Sequence, residues 1–300
     1  MLTLCIWTLI LRNVYAAVFN IGTTATKGSL AYENVRYGVE RWNSANSAHT
    51  EVSLNIIATE LYFAGFEERM CDVMQHSVVA VLIPTSEERL DEMLMKSMCH
   101  HFRIPCLTIK MGNPIEFASD FVTSIGPSRG LGAYATSEFV ESLRWTSFFN
   151  ITTLYALLQQ AKSINMTESP FSYIFTNTDL SLLEDFLNNV YGTFHCNITG
   201  LQLVKNDPMM KTTLALTAEA VWVIGAALHR MTELKVLPRP AALLCDARDS
   251  WADGTKMNDA IRRLRGRQQL TGDIHFDPSG EREDLVYYGI GRINSQFVKV

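Results

Sequence analysis

The chain has no surplus of positive charge. Its 300 residues carry 26 Lys and Arg against 31 Asp and Glu, a formal net charge of -5, so nucleic-acid binding has no electrostatic starting point. The one basic run, Arg262, Arg263, Arg265 and Arg267, is short and reads as the solvated face of a helix. Catalytic motifs are missing too. No GxGxxG follows a strand, and neither a GxxxxGK phosphate loop nor an HExxH helix occurs, which removes the structural devices of nucleotide enzymes and zinc hydrolases. Gly126-Pro127-Ser128-Arg129-Gly130 departs from a nucleophile elbow because proline precedes the serine; Ser128 reads instead as a helix cap. Cys99-His100-His101 lacks zinc-ligand spacing and reads as helix-end packing. The chain is therefore read as a non-enzyme, with no catalytic residue, metal or cofactor assigned.

Long apolar runs are scarce, and each has a specific reading. Met1 to Leu11 is almost wholly apolar and is followed by Val14-Tyr15-Ala16-Ala17. At 11 residues it is too short for a bilayer, which needs ~20, and it fits a secretory signal over residues 1–16 removed after Ala16. The alternative is a first buried strand at the true N-terminus. Thr213 to Met231 is long enough to attract notice, but Glu219 interrupts it and His229-Arg230 closes it, as in a buried helix. A composition of 47% hydrophobic and 19% charged residues excludes general disorder and supplies one core, or two side by side.

Secretion changes how cysteines and asparagines read. Cys5 leaves with the signal, and Cys71, Cys99, Cys106, Cys196 and Cys245 remain in an oxidising compartment, so at least one thiol stays free or pairs between chains. Spacing alone assigns no bridge. Asn150, Asn165 and Asn197 each begin an Asn-x-Thr sequon, and their clustering marks one exposed, glycan-bearing region.

Strand and helix patterns alternate in units of ~30 residues, which argues for an α/β fold with right-handed crossovers. Strands are expected over 19–23, 52–59, 78–83, 106–109 and 120–125, and helices over 31–43, 66–76, about 87–101 and 128–143. Val78 to Ile83 is continuously apolar, as in a parallel strand buried on both faces. The turn after it, Ile83-Pro84-Thr85-Ser86, sits at a carboxyl strand end, where α/β sheets bind ligands; Thr85 and Ser86 could hold a carboxylate there or simply cap the next helix. Beyond Trp145 the rhythm becomes ragged, with strands at 173–176, 200–204, 274–276 and 285–293 and helices at 154–163 and 213–231. The helix after Ser86 carries two apolar stripes, Leu90, Met93, Leu94, Ser97 and Met98 on one side and Met95, Cys99 and Phe102 on another. One packs on the sheet; the other needs cover, within the chain or from a partner.

Several motifs in this order resemble the amino-terminal domain of ionotropic glutamate receptors, kainate-type or a related invertebrate branch. They are Gly65-Phe66-Glu67 and Cys71-Asp72, Ile83-Pro84-Thr85-Ser86, Ile104-Pro105, Leu143-Arg144-Trp145, the run Tyr173 to Leu180, Asn197-Ile198-Thr199-Gly200, and finally Cys245, Trp251, Gly254, Leu270-Thr271-Gly272, Ile274, Phe276 and Gly280. The resemblance implies a bilobed, periplasmic-binding-protein type I-like fold of parallel sheets flanked by helices. Lobe 1 would take residues 17–144, an incomplete lobe 2 residues 145–212, and residues 213–300 would return to complete both. It implies a disulfide from Cys71 to Cys245, worth ~4 to 5 kcal/mol in the chain-entropy model, and a lobe 1 contact with homologous receptor subunits through Phe66, Met70, Met95, Cys99 and Phe102.

The implied role is subunit recognition, assembly and modulation of a glutamate-gated cation channel, outside the cell and at the plasma membrane through segments further along such a subunit. A soluble secreted binder of an amino acid or similar small anion, with a cleft near Thr85, Ser86 and Ser128, is the alternative. The departures from the family are a gap of roughly two βα units, about 60 residues, between Phe149 and Leu154, and a helix-sized gap between Asp207 and Thr213. A second sheet with lost strands is the expected result, in either a fragment or a short secreted variant.

Overall fold

The computed structural model describes residues 17–46, 51–61, 64–84, 89–109, 120–127, 129–143, 149–151, 161–168, 171–184, 196–205, 207, 209–246, 249–293 and 296–300. The signal expected over residues 1–16 lies outside them, as do Thr85, Ser86 and Ser128. The first sheet is built from β1 (Ala17–Thr23), β2 (Val52–Ala58), β3 (Val78–Ile83), β4 (Cys106–Thr108) and β5 (Val122–Ser124). All pairings are parallel and the order is β2-β1-β3-β4-β5. The connecting helices are α1 (Leu30–Asn46), α2 (Phe66–Met74), α3 (Arg89–Phe102) and α4 (Arg129–Ser142).

Every residue of the central strand β3 is buried, as its unbroken apolar run requires. Each such side chain contributes up to about 1.5 to 3 kcal/mol of transfer free energy. On α2, Phe66, Met70, Val73 and Met74 face this core at spacings of four, three and one.

The face of α3 that enters the core is the reverse of a solvent-exposed contact surface. Met95 and Cys99 are 1% and 0% exposed and Phe102 is 4%, whereas Met93 is 60% exposed. The expected subunit contact at Phe66, Met70, Met95, Cys99 and Phe102 is therefore corrected: all five side chains are buried within their own chain. The cause is covalent as well as apolar. Cys99 is bonded to Cys106 in β4, which turns that stripe of α3 toward the sheet.

The second sheet contains β6 (Phe149–Ile151), β7 (Ser172–Phe175), β8 (Asn197–Gln202), β11 (Tyr288–Ile293) and β12 (Gln296–Lys299) in the order β12-β11-β8-β7-β6. The first three pair in parallel; the C-terminal two add antiparallel to β8 and to each other. The sheet is thus mixed and five strands wide, not the depleted parallel sheet expected, because the chain's end supplies two strands. Leu285 does not join β11. It bridges Gly272 and packs in the first core, while Ile290 packs in the second, so the segment between them is a crossing.

Helix α5 (Thr212–Glu233) leaves the second sheet and returns to the first core, where it lies against α1. The two approach closely at glycines. A Cβ on Gly38 would stand 2.9 Å from Val221, and one on Gly225 would stand 2.4 Å from the Trp42 indole. Although α5 is apolar and long enough to cross a membrane, 72% of its most apolar window is buried inside the fold. Beyond it, an irregular stretch is held by the bond between Cys71 and Cys245, whose Cα atoms lie 5.7 Å apart, and by Trp251, whose Nε1 donates to Arg239 O at 2.7 Å. Helix α6 (Gly254–Arg262) and the hairpin β9 (Gly266–Gln269) to β10 (Gly272–Ile274) follow.

Arg262 is not the solvated residue expected of the basic run. It docks on the carbonyls of Val122, Pro278 and Ser279, and burial pulls its pKa below the usual arginine value. Arg263, Arg265 and Arg267 are exposed.

The described core around the first sheet is extensive, whereas that around the second centres on Tyr173, Phe175, Leu180, Ile198 and Ile290. Local opening should follow this difference. In native-state hydrogen exchange, β3 amides are expected to exchange only through global unfolding and those of β7 and β8 through an earlier opening. Equal protection across both sheets would contradict this.

Candidate functional site

A parallel sheet of order 2-1-3-4-5 reverses direction between β1 and β3, and the crevice beyond the carboxyl ends of those strands is where such folds bind ligands. Here β1 ends in Thr23 and Thr24, both buried, and the Thr24 N–H donates to Leu82 O of β3 at 3.4 Å. Thr23 Oγ1 accepts the Ala25 N–H at 3.3 Å. These bonds turn the chain sharply into α1, whose first turn is capped by Ser29: its Oγ accepts the Tyr32 N–H at 3.2 Å. On the neighbouring strand, Thr59 Oγ1 accepts the Leu61 N–H and Thr59 O accepts the Lys27 N–H.

The rim is closed by an ion pair, Lys27 Nζ to Glu60 Oε1 at 2.7 Å. The hydrogen bond and charge of each partner raise the lysine pKa and lower that of the glutamate; both are solvated, so the pair shapes the rim more than it stabilises it. The strand ends thus bring hydroxyls and a helix N-terminus together, groups of the kind that hold a small anion, while the Thr24, Ala25, Lys27, Tyr32 and Leu61 amides are already bonded within the chain. The expected cleft residues Thr85, Ser86 and Ser128 flank the same carboxyl edge in sequence but lie outside the described residues. Among the described residues, no three His, Cys, Asp or Glu side chains gather as a metal site would need.

The chain joins its two sheets through adjacent extended segments that hydrogen-bond to one another. Lys205 N donates to Leu270 O at 3.3 Å and Val286 N to Thr271 O at 3.2 Å, and Lys299 Nζ reaches Lys205 O at 2.9 Å. An open groove of about 700 Å³ runs beside them, lined by Lys205, Asp273, Glu283, Asp284 and Tyr288 among others.

Beneath this junction lies a charged cluster that the sequence reading did not assemble. Glu219 of α5 and Arg282 are 1% and 2% exposed, and Arg282 Nη1 donates to Glu219 Oε2 at 2.6 Å. Thr271 donates its backbone N–H to Oε1 at 2.8 Å and its hydroxyl to Oε2 at 2.6 Å, while Arg282 Nε and Nη2 both donate to Asp273 O. In the sequence Glu219 stands only as an interruption of an apolar helix. An ionisable residue in that position must have a buried partner, and that signal was available.

The remaining sequence-level sites are placed as follows. Asn165 and Asn197 are exposed, and the Cys196 N–H donates to Thr167 O at 3.1 Å, which brings the two sequons side by side. Asn150 falls in β6, and its side chain lies outside the described residues. Cys196, unassigned in sequence, is a buried free thiol.

The geometry defines a two-sheet α/β architecture of the periplasmic-binding-protein type I-like class, with a topological switch point in the first sheet and a crossing junction between the two. Residues 147–292 match the model of the receptor family ligand binding region, a stretch taking in β6, β7, β8, α5, α6, the hairpin and all but the last residue of β11, but not β12. No curated protein matches the chain. Two disulfides together with this match indicate an extracellular domain similar to a family that binds ligands without transforming them.

Two measurements follow from this chemistry. Replacing Glu219 by Leu or Arg282 by Met alone leaves a buried unpaired charge and should cost about 3 to 5 kcal/mol in urea unfolding. The double variant should regain most of that, and strict additivity would refute the pairing. Burial raises the Cys196 pKa and keeps the thiol protonated, so iodoacetamide at pH 8 should label Cys196 only after unfolding; rapid labelling of the native protein would contradict its placement.

Proposed function

We propose that the chain is the extracellular, noncatalytic ligand-binding-region-like domain of a glutamate-gated cation channel subunit, serving subunit recognition, assembly and modulation. The observation that carries the receptor reading is the match of residues 147–292 to the receptor family ligand binding region on a fold whose switch point forms an anion-suited crevice. The motif order from Cys71 to Gly280 supports the narrower assignment to the glutamate receptor family. On this reading residues 17–144 form lobe 1, residues 145–212 the body of lobe 2, and residues 213–300 return to both. The sequons at Asn165 and Asn197 then carry glycans on lobe 2, leaving lobe 1 bare for homologous subunits. With Phe66, Met70, Met95, Cys99 and Phe102 committed to the core, the contact falls to outward positions of α3, among whose described residues Met93 is the exposed large apolar one.

The capped helix and buried threonines of the switch point favour one second reading, a secreted binder of an amino acid or similar small anion. Sedimentation equilibrium and calorimetry separate the two. The assembly reading expects a reversible dimer that Met93→Asp dissociates while the melting temperature holds. A monomeric wild-type chain that binds an amino acid, with affinity lost in Thr24→Val, would overturn assembly in favour of the binder.

A further inference from the structure

A second cavity lies away from the switch point, where α1 passes over α5 and the loop from β9 to β10. Its volume is about 230 Å³. A dry apolar cavity of about 150 Å³ already admits benzene, so this one has room for a single aromatic ring with a small substituent, and not for a drug-sized ligand. Gly38 and Ala218 form a side-chain-poor wall where the helices cross, and the indoles of Trp42 and Trp222 supply flat apolar surface.

The polar groups around the cavity are unevenly satisfied. Glu219 at its inner side is fully committed, with both carboxylate oxygens taken by Thr271 and Arg282, so it presents no free negative charge. Arg41 is exposed beside the cavity, and its Nη1 donates to Tyr37 Oη at 3.1 Å. Among the described residues no carboxylate pairs with it. The Trp222 indole N–H likewise has no acceptor among them. The cavity therefore combines an aromatic lining with unanswered donors, one of them a guanidinium suited to bidentate carboxylate recognition.

We propose that this cavity binds a small aromatic carboxylate, its ring against Trp42 and Trp222 and its carboxylate on Arg41. The site is separate from the switch-point crevice and from any ligand bound there. It also has a mechanical consequence: Gln269 and Leu270 line it and immediately precede Thr271, so an occupant touches both lobe 1 helices and a strand of the junction.

The test is calorimetric titration of the secreted, glycosylated chain with benzoate and with phenylacetate, set against acetate and benzylamine, and followed in parallel by tryptophan fluorescence. Saturable binding of the two aromatic acids is expected, with acetate and benzylamine silent. Arg41→Gln should weaken binding by about tenfold or more, the effect of losing a charged hydrogen-bond donor. Ala45→Phe, which fills the mouth from an exposed position, should abolish it. Both substitutions are on the surface and should leave the melting curve unchanged. Absence of saturable binding overturns the proposal. So does equal binding of benzylamine, or binding that survives both variants. Binding lost in Thr24→Val but kept in Arg41→Gln belongs to the crevice and overturns it as well.

Discussion

A carboxylate sits in the middle of the most apolar helix of this protein, and much of the C-terminal third is arranged to satisfy it. Leaving Glu219 unpaired inside the core would cost several kcal/mol, so the chain beyond α6 must return to α5 and deliver donors. It does so twice. The hairpin turn presents the amide and hydroxyl of Thr271, and nine residues past Asp273 the guanidinium of Arg282 arrives with its remaining donors on Asp273 O. Closing these bonds fixes segments 270–273 and 282–286 against each other. From there the chain has one direct exit, across to the second sheet as β11. The antiparallel completion of that sheet thus follows from a polar requirement in the first.

That dependence explains which parts of the fold were legible in the sequence. In the first sheet the signals are local, an unbroken apolar run in β3 and short β-rich runs in β1 and β2, so β3 is read residue for residue and β1, β2 and α2 to within two residues or so. Beyond α4 the information is not local. The β9 sequence Gly-Arg-Gln-Gln and the β12 sequence Gln-Phe-Val-Lys have no pattern that marks a strand; they pair because Thr271 and Arg282 are anchored elsewhere. Helix α6 offers only Met257 and Ile261 as a buried pair and opens on Gly254, where a Cβ would stand 1.7 Å from Arg103 O. Close approach explains that glycine, and no periodicity announces it.

The α3 reading failed for a different reason. Two apolar stripes were visible, and periodicity cannot say which one meets the sheet. Cys99 decides it, since a bond to Cys106 at the start of β4 holds one stripe inward and leaves Met93 outside. Sequence spacing left Cys99, Cys106 and Cys196 open, and a separation of seven residues gave no reason to prefer one pairing. The candidate crevice was half legible. The carboxyl end of β3 was singled out because it follows a buried strand, whereas Thr23 and Thr24 become part of a site only through the strand order that places β1 beside β3.

Both disulfides lie on the first core. Cys71 to Cys245 closes a separation of 174 residues, a constraint worth about 5 kcal/mol on the unfolded chain, and it staples α2 to the irregular stretch after α5. No described bond of that kind reaches the second core, which contains instead the free thiol of Cys196 and two adjacent exposed sequons. The described covalent and apolar restraint is therefore concentrated on one side of the junction, and the family match crosses it, taking in β6, β7 and β8 on one side and α5 and α6 on the other. The capped, threonine-lined switch point is held on the restrained side, and of the two sheets the second is the one that local opening reaches first. The segments that join the two sides are those clamped through Thr271 and Arg282, so the buried ion pair that satisfies α5 also anchors the crossing between the sheets.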